Sequence, residues 1–151
     1  MSFSRRRKSG AVLAEAVLAC CIFVPVIVVI IWAVLEVSYA YVIGLYMSEA
    51  AHLAARALSD EFLRNPKVVS SPVIQQKVFS RIRIPMMVTS NEQFSLEEGA
   101  WVTKSLPRSV TVHCTYLPGV GDPPLPLFPN PDILNLRKKI SIGASSTTPL
   151  F

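Results

Sequence analysis

The chain carries a run of apolar residues without a charge from Ala16 to Leu35, 20 residues long. At about 1.5 Å per residue, a helix of this length covers about 30 Å, the thickness of the hydrocarbon core of a bilayer. Pro25 lies inside the run, and transmembrane helices tolerate proline because neighbouring groups re-satisfy the freed carbonyl. We therefore expect a transmembrane helix with a kink at Pro25, and not an end there.

The helical pattern continues beyond the apolar run. Small residues recur at four-residue spacing at Ala40, Gly44 and Ser48, and Ala51 and Ala55 follow on nearly the same face. A stripe of small residues lets two helix backbones approach closely, which suits packing against another helix in a membrane or an assembly. The alternative is that these residues only favour helix formation.

Two helix boundaries can be placed in the next segment. Pro66 predicts the end of the long helix near residue 65. Ser71 followed by Pro72 has the pattern of an N-cap and a first-turn proline. A second, amphipathic helix is predicted over residues 72–83, because apolar residues then repeat every fourth position at Ile74, Val78 and Ile82.

The remaining pattern is that of strands and a loop. Apolar and polar residues alternate from Arg108 to Leu117, which predicts a half-buried strand. One side of this strand carries Val110, Val112, Cys114 and Tyr116, and the other carries Thr111, His113 and Thr115. Residues 118–131 are too rich in proline for a helix or an inner strand and predict a long loop. The segment "KKISIGASS" is predicted to return as the partner strand, with Ile140 and Ile142 facing inward.

Together these elements predict an α+β fold: a long N-terminal transmembrane helix that extends into a small exported head. The predicted boundaries are a basic leader at 1–10, a transmembrane helix at 11–36, a helical extension at 37–65 and the head at 66–151. The head has roughly 80 to 90 residues, which is near the lower limit for independent stability. We expect it to need its own helix or a partner to cover its apolar face.

The chain has a net charge of +5, but most of this positive charge is concentrated near the N-terminus. Four of the 15 cations lie at Arg5, Arg6, Arg7 and Lys8, so residues 11–151 carry 11 cations against 10 anions. A nucleic-acid surface is not expected, because a basic footprint should persist over a folded face. By the positive-inside rule, the leader stays in the cytoplasm and the chain after about Glu36 is exported.

A cleaved secretory signal is the alternative for this N-terminal region. Ser38-Tyr39-Ala40 resembles a small-x-small cleavage site. However, the apolar core of such a signal is about 7 to 15 residues long, and the present run is longer. We therefore favour an anchor that is retained in the membrane.

The candidate chemical residues do not predict an enzyme. Cys20 and Cys21 fall in the apolar run and are interpreted as packing thiols, with no metal-binding or redox spacing. Cys114 has no predicted partner within the chain, and a disulfide between two chains stays open if it faces an oxidising compartment. His113 is next to Cys114, but neighbouring residues on a strand point to opposite faces. Since neither a phosphate-binding glycine loop nor a metal cluster is present, we expect no cofactor and no catalysis.

Glu15 is the one charge placed inside the predicted membrane helix near its cytoplasmic edge. A carboxylate at the centre of a membrane costs about 2.5 to 3.5 kcal/mol on insertion scales, and less near an edge. A cut between Gly10 and Ala11 would create an α-amino group, whose usual pKa is about 7.7 to 8.0. In a bundle of staggered helices this amine can neutralise Glu15 of a neighbour, so that both desolvation penalties fall together. The alternative is that Glu15 extends towards the headgroups of its own leaflet.

These residues carry a family resemblance. The basic leader ending in Gly10, the sequence "GAVLAEAVL" with Glu15 fifth after the cut, and the apolar helix that follows resemble a type IV prepilin. Within that class the chain is similar to the TadE-like minor pseudopilins of tight-adherence (Flp) pilus systems. Further shared features are Pro25, Glu36 at the helix exit, the continuation "EAAHLAARAL" and a small head with a proline-filled loop.

The resemblance implies a function and a set of partners. A prepilin peptidase of the bacterial inner membrane would remove the leader, and the mature protein would join other pilins or pseudopilins at an inner-membrane assembly platform. The chain departs from the family pattern at Ala16, where an aromatic residue often stands, and its head is longer than that of a major pilin. The resemblance is specific over residues 5–58 and extends to the head only in outline. An uncleaved, single-pass periplasmic binding module is the alternative.

Overall fold

A computed structural model describes residues 3–85, 87–88, 90–118, 134 and 141–150, with side chains from residue 12 onward. Its dominant element is one continuous helix, α1, at Phe3–Arg64. With 62 residues it is about 93 Å long. The helix continues through Pro25, as the sequence predicts.

The end of α1 lies where the sequence places it. The helix stops at Arg64, and the side chain of Asn65 caps the following 3₁₀ turn at Pro66–Val69 by accepting a hydrogen bond from the Lys67 N–H at 3.2 Å. Pro66 begins this turn without the loss of a hydrogen bond, because the first N–H groups of a helix have no partner within it.

The second helix, α2, is shorter than predicted and spans Pro72–Phe79. Its predicted continuation to residue 83 is wrong, because the N–H groups of Arg81 and Ile82 bond to carbonyls only three residues back. These bonds tighten the last turn, as is common at helix ends. Pro85 follows shortly afterwards, and a proline disfavours a helical conformation for the residue before it.

The sheet is antiparallel, with one long strand at its centre. Its strands are β1 at Phe94–Ser95, β2 at Trp101–Val102, β3 at Ser109–Thr115 and β4 at Gly143–Pro149. The strand β3 pairs with β4 along its whole length, and β1 and β2 follow one another along its other edge. The strands β1 and β2 were not predicted from the sequence, because two residues are too few to show an alternating pattern.

The two predicted strands have different outcomes. The alternating burial of β3 confirms its predicted apolar face, with Val110, Val112 and Cys114 buried. The predicted return strand is present as the antiparallel partner of β3 but lies further along the chain, at Gly143–Pro149. Ile142 comes just before this strand and packs against the core, whereas Ile140 lies outside the described residues. The strand lies further along the chain than predicted because the residues that pair with Ser109–Thr115 are Gly143–Pro149, with Cys114 opposite Ala144.

The core of the head forms where the second half of α1 lies against the sheet. The helix contributes a face of buried residues, namely Ile43, Met47, Ala50, Ala51, Ala54, Ala55 and Leu58. The strand β4 turns only small side chains to the same side, Ala144, Ser146 and Thr148. Small residues on both surfaces allow the helix to lie close to the sheet. The α+β organisation of a long apolar helix followed by a small antiparallel sheet is thus confirmed.

Candidate functional site

The first candidate region is the outer surface of the N-terminal half of α1. Apart from the half-buried Trp32, its large apolar side chains from Val12 to Val37 are exposed on all sides of the helix. The most apolar 18-residue window has a mean hydropathy of 3.1, and none of it is buried by the rest of the protein. By length and composition, α1 is able to cross a membrane near the N-terminus.

The predicted cleavage and topology residues lie at the start of this helix. Arg5, Arg6, Arg7, Lys8, Gly10 and Ala11 all have helical backbone, while their side chains lie outside the described set. Glu15 follows after one helical turn, and its side chain is exposed. Among the described residues it makes no hydrogen bond and no ion pair.

A second polar group lies where the apolar surface meets the head. Glu36 is fully buried, and its Oε2 accepts a hydrogen bond from the backbone N–H of Leu134 at 3.0 Å. Two tyrosines meet close by, since the Tyr116 side chain hydrogen-bonds to Tyr39. Burial and then this bond raise the pKa of Tyr116. The structure thus gives Glu36 a binding role towards its own chain, which sequence reasoning noted only as a feature of the resemblance.

A signal for the burial of Glu36 exists in the sequence. Glu36 lies on the same helical face as Ile43 and Met47, because seven and eleven residues are close to two and three full turns. Both of those residues are buried under the sheet. A charged residue on the core face of an amphipathic helix requires a buried hydrogen-bond partner. The spacing of Glu36 from Ile43 and Met47 could therefore have predicted that Glu36 is buried and bonded.

The predicted small-residue stripe is divided by the head. Ala51 and Ala55 are buried in the core of this chain, and Ala40 packs partly against it. Ser48 is exposed, and a Cβ added to Gly44 would meet no atom within 4 Å. Gly44 and Ser48 therefore leave room beside the helix, whereas Ala40 is partly covered by the head, and the packing of Ala40, Gly44 and Ser48 against another helix stays a prediction.

The histidines and the head cysteine have structural surroundings. Cys114 is buried with its thiol 3.7 Å from the Met47 Sδ, and burial raises its pKa to about 12, which suppresses the reactive thiolate. His113 points away from it, with its Nε2 3.7 Å from the Glu97 Oε2. On α1, the His52 Nδ1 lies 3.4 Å from the Ser146 Oγ. The prediction that His113 and Cys114 face opposite sides is confirmed.

Metal binding has no candidate in the described part of the chain, where no three His, Cys, Asp or Glu residues come together. The described residues thus form a long helix with an exposed apolar N-terminal half and a packed head, and Glu15 is a carboxylate on the exposed apolar surface. Comparison of the chain with protein-family models, with curated proteins and with solved structures gives no match.

Proposed function

We propose that the protein is a membrane-anchored minor pseudopilin of the TadE-like type. In this proposal it takes part in the assembly of a tight-adherence (Flp, type IVb) pilus after cleavage between Gly10 and Ala11. Its C-terminal head lies in the periplasm, and its partners are a prepilin peptidase, other pilins or pseudopilins, and an inner-membrane platform. The observation that carries the proposal is Glu15, an exposed carboxylate on the apolar surface of α1 with no partner among the described residues.

The energetics of Glu15 favour a partner from another molecule. A charge in the hydrocarbon region is costly, and such charges usually pair with one another or mark a functional site. Removing residues 1–10 would place a new amine four residues from Glu15, at the first residue of the shortened helix. The unpaired N–H groups of that helix end add a partial positive charge. An adjacent copy that is offset by about one turn, about 5.4 Å, would bring its Glu15 beside this cationic end.

The shape of the exported part is compatible with packing side by side. The head lies on one side of α1, where residues from Ile43 to Leu58 are buried under the sheet. The opposite side of the helix carries no part of the described head, and beyond Glu49 residues such as Leu53 and Leu63 remain exposed. A protein built this way can present its helix to neighbours while the head stays outside.

The cleavage step is tested with Gly10→Leu in cells that carry the peptidase and the pilus system. We expect this variant to keep its leader, because a bulky residue should not fit where the resemblance requires glycine. The matched control is Ser4→Leu, which adds the same side chain to the leader away from the cut. N-terminal sequencing of the membrane-isolated protein should read Ala11 for the wild type and the control, and Met1 or Ser2 for Gly10→Leu. A wild-type protein that starts at Met1 or Ser2 contradicts the proposal.

The role of Glu15 is tested separately with Glu15→Ala. We expect leader removal to continue, while the amount of protein recovered in sheared pili or in crosslinked assemblies falls about tenfold, which corresponds to about 1.4 kcal/mol. Cys20→Ala is the control, since Cys20 is also exposed on the apolar half of α1, about 1.4 turns further along. Normal incorporation of Glu15→Ala would refute the role of Glu15 in subunit registration, that is, in setting the offset between neighbouring helices through its pairing with the new amine. The cleavage test would still decide whether the protein is a pseudopilin.

An uncleaved periplasmic binding module remains the second candidate, and one observation favours it. A cleft of about 260 Å³ lies between α2 and β1 and is lined by Gln76, Phe79, Glu92 and Phe94, among others. Its lining is mixed apolar and polar, as in small binding sites, and its volume is just below the usual range of about 300 to 1,000 Å³. The same N-terminal sequencing separates the two candidates.

A further inference from the structure

The exposed surface of α1 is free of charge over a longer distance than a membrane requires. Between Glu15 and Glu49, the only charged residue is Glu36. Its side chain is fully buried beneath the head and contributes no charge to the surface. The exposed surface therefore has no ionised side chain from Ala16 to Ser48, a length of 33 residues.

This length exceeds the thickness of a bilayer core. At about 1.5 Å per residue, 33 helical residues cover about 50 Å. The hydrocarbon core is about 30 Å thick, and about 40 to 45 Å with the headgroup regions. A perpendicular helix would leave about 5 to 10 Å of this charge-free surface, or one to two helical turns, in water beyond the headgroups.

The excess is confined to one side of the helix. On the side of the head, the apolar surface ends where Glu36 and Tyr39 meet the head. On the opposite side it continues for about ten more residues, with Tyr41 68%, Val42 40%, Leu45 53% and Tyr46 39% exposed. We name these four residues the outer apolar face. Glu49 is the first exposed charge beyond it.

We propose that the outer apolar face is a lipid-binding surface. It lies in the headgroup region of the leaflet on the side of the head, and as a result α1 crosses the bilayer at a tilt. A charge-free length of about 50 Å fits a total thickness of 40 to 45 Å at about 25 to 35°. This is within the range of about 0 to 40° seen for transmembrane helices. The helix leans towards the outer apolar face, so the head lies on the upper side, away from the lipid.

The chemistry of the face favours lipid as its occupant. The face is continuous with the surface that spans the membrane, so covering it extends an existing contact. Its two tyrosines, Tyr41 and Tyr46, combine an apolar ring with a hydroxyl group, and such residues are enriched where acyl chains meet headgroups. This inference depends only on the membrane span, so it stands whether or not the protein is a pseudopilin.

The test is a depth measurement with an environment-sensitive fluorophore on the full chain in phosphatidylcholine vesicles. The fluorophore is attached at Leu45→Cys, and in a control at Leu53→Cys, which is 44% exposed and about 12 Å further along the helix. Both variants carry Cys20→Ala and Cys21→Ala, and Cys114 is buried. At one protein per several thousand lipids, brominated lipids should quench the Leu45 probe at least threefold more than the Leu53 probe.

Other outcomes overturn the proposal. Equal, water-like emission from the two probes would show that the face lies outside the lipid. Protection of the Leu45 probe that appears only at high protein density, together with self-quenching, would assign the face to a second copy of the chain. Polarised infrared spectroscopy of oriented bilayers gives an independent measurement of α1, and a tilt below about 15° would also contradict the proposal.

Discussion

Cys114 is the residue at which burial changes the chemistry most clearly. Its side chain is fully buried against Met47, and desolvation raises the pKa of the thiol from 9.0 to about 12. The thiol stays protonated in the folded head while the unfolded chain ionises above about pH 9. The unfolded state therefore binds fewer protons between about pH 9 and 12, so stability falls as pH rises through this window. Tyr116, whose pKa is also raised, acts in the same direction.

The first prediction concerns the pH dependence of stability and uses Cys114→Val, which replaces the thiol with an apolar side chain of similar size. The wild-type free energy of unfolding should fall by up to about 1.4 kcal/mol per pH unit above pH 9 from this group. The variant should have a shallower slope, because only Tyr116 then contributes among these two groups. Denaturant unfolding in detergent at pH 7, 9 and 10.5, followed by near-ultraviolet circular dichroism, measures both slopes.

The same burial bears on the question of a disulfide between chains. In a protein with Cys20→Ala and Cys21→Ala, a maleimide at pH 7 should label Cys114 only after denaturation. Non-reducing gels should show a monomer. Rapid labelling of the native protein, or equal pH slopes for the wild type and Cys114→Val, would contradict the buried environment of this thiol.

Among the secondary-structure elements, those with a long periodic pattern were predictable, and those defined by pairing were not. The helix α1 and the strand β3 follow from many residues that repeat the same period. In β4 the pattern is weak, because Ala144, Ser146 and Thr148 face inward and are hardly more apolar than their neighbours. Its position is set by pairing with β3 and by the hydrogen bond from the Ser59 Oγ to the Pro149 carbonyl at 2.8 Å. A contact between residues 90 positions apart does not affect the local sequence pattern, so the position of β4 could not be predicted from it.

The contact between α1 and the sheet gives the second prediction. Ala54 is fully buried on the face of α1 that packs on the head. Replacing it with leucine should force the helix away from the sheet and lower the free energy of unfolding by about 1 to 3 kcal/mol. The matched control is Arg56→Leu, which adds leucine to the same helix at an exposed position and should change stability by less than about 0.5 kcal/mol.

Denaturant titration of the two variants decides this prediction, and the amide exchange of β4 localises the effect. Ala54→Leu should speed exchange in Gly143–Pro149, since this strand lies against the helix. Equal stabilities for the two variants would show that the helix does not pack closely on the sheet. The expected loss of stability arises from the close contact between α1 and the sheet, and not from a property of Ala54 alone.

For the whole molecule, Glu36 adds a contact between the apolar half of α1 and a distant part of the chain, beyond the packed face of α1 that lies under the sheet. The hydrogen bond from the Leu134 N–H to its carboxylate connects residues that are 98 positions apart. It lies at the end of the apolar surface, where α1 leaves the predicted span. Loss of the Glu36 oxygen atoms would leave the Leu134 N–H without this acceptor and remove a part-buried hydrogen bond, which typically contributes about 0.5 to 1.5 kcal/mol.

The last prediction follows from this connection and compares Glu36→Ala with Glu36→Gln. Alanine removes the acceptor, so the Leu134 amide should exchange with solvent at least tenfold faster than in the wild type. Glutamine keeps an oxygen at the same position and should retain most of the protection, since a backbone N–H also bonds to a neutral amide oxygen. Glu49→Ala, which removes an exposed carboxylate from the same helix, should leave this amide unchanged. If the Leu134 amide exchanges at the same rate in Glu36→Ala and in Glu49→Ala, then the Glu36 carboxylate does not hold this N–H.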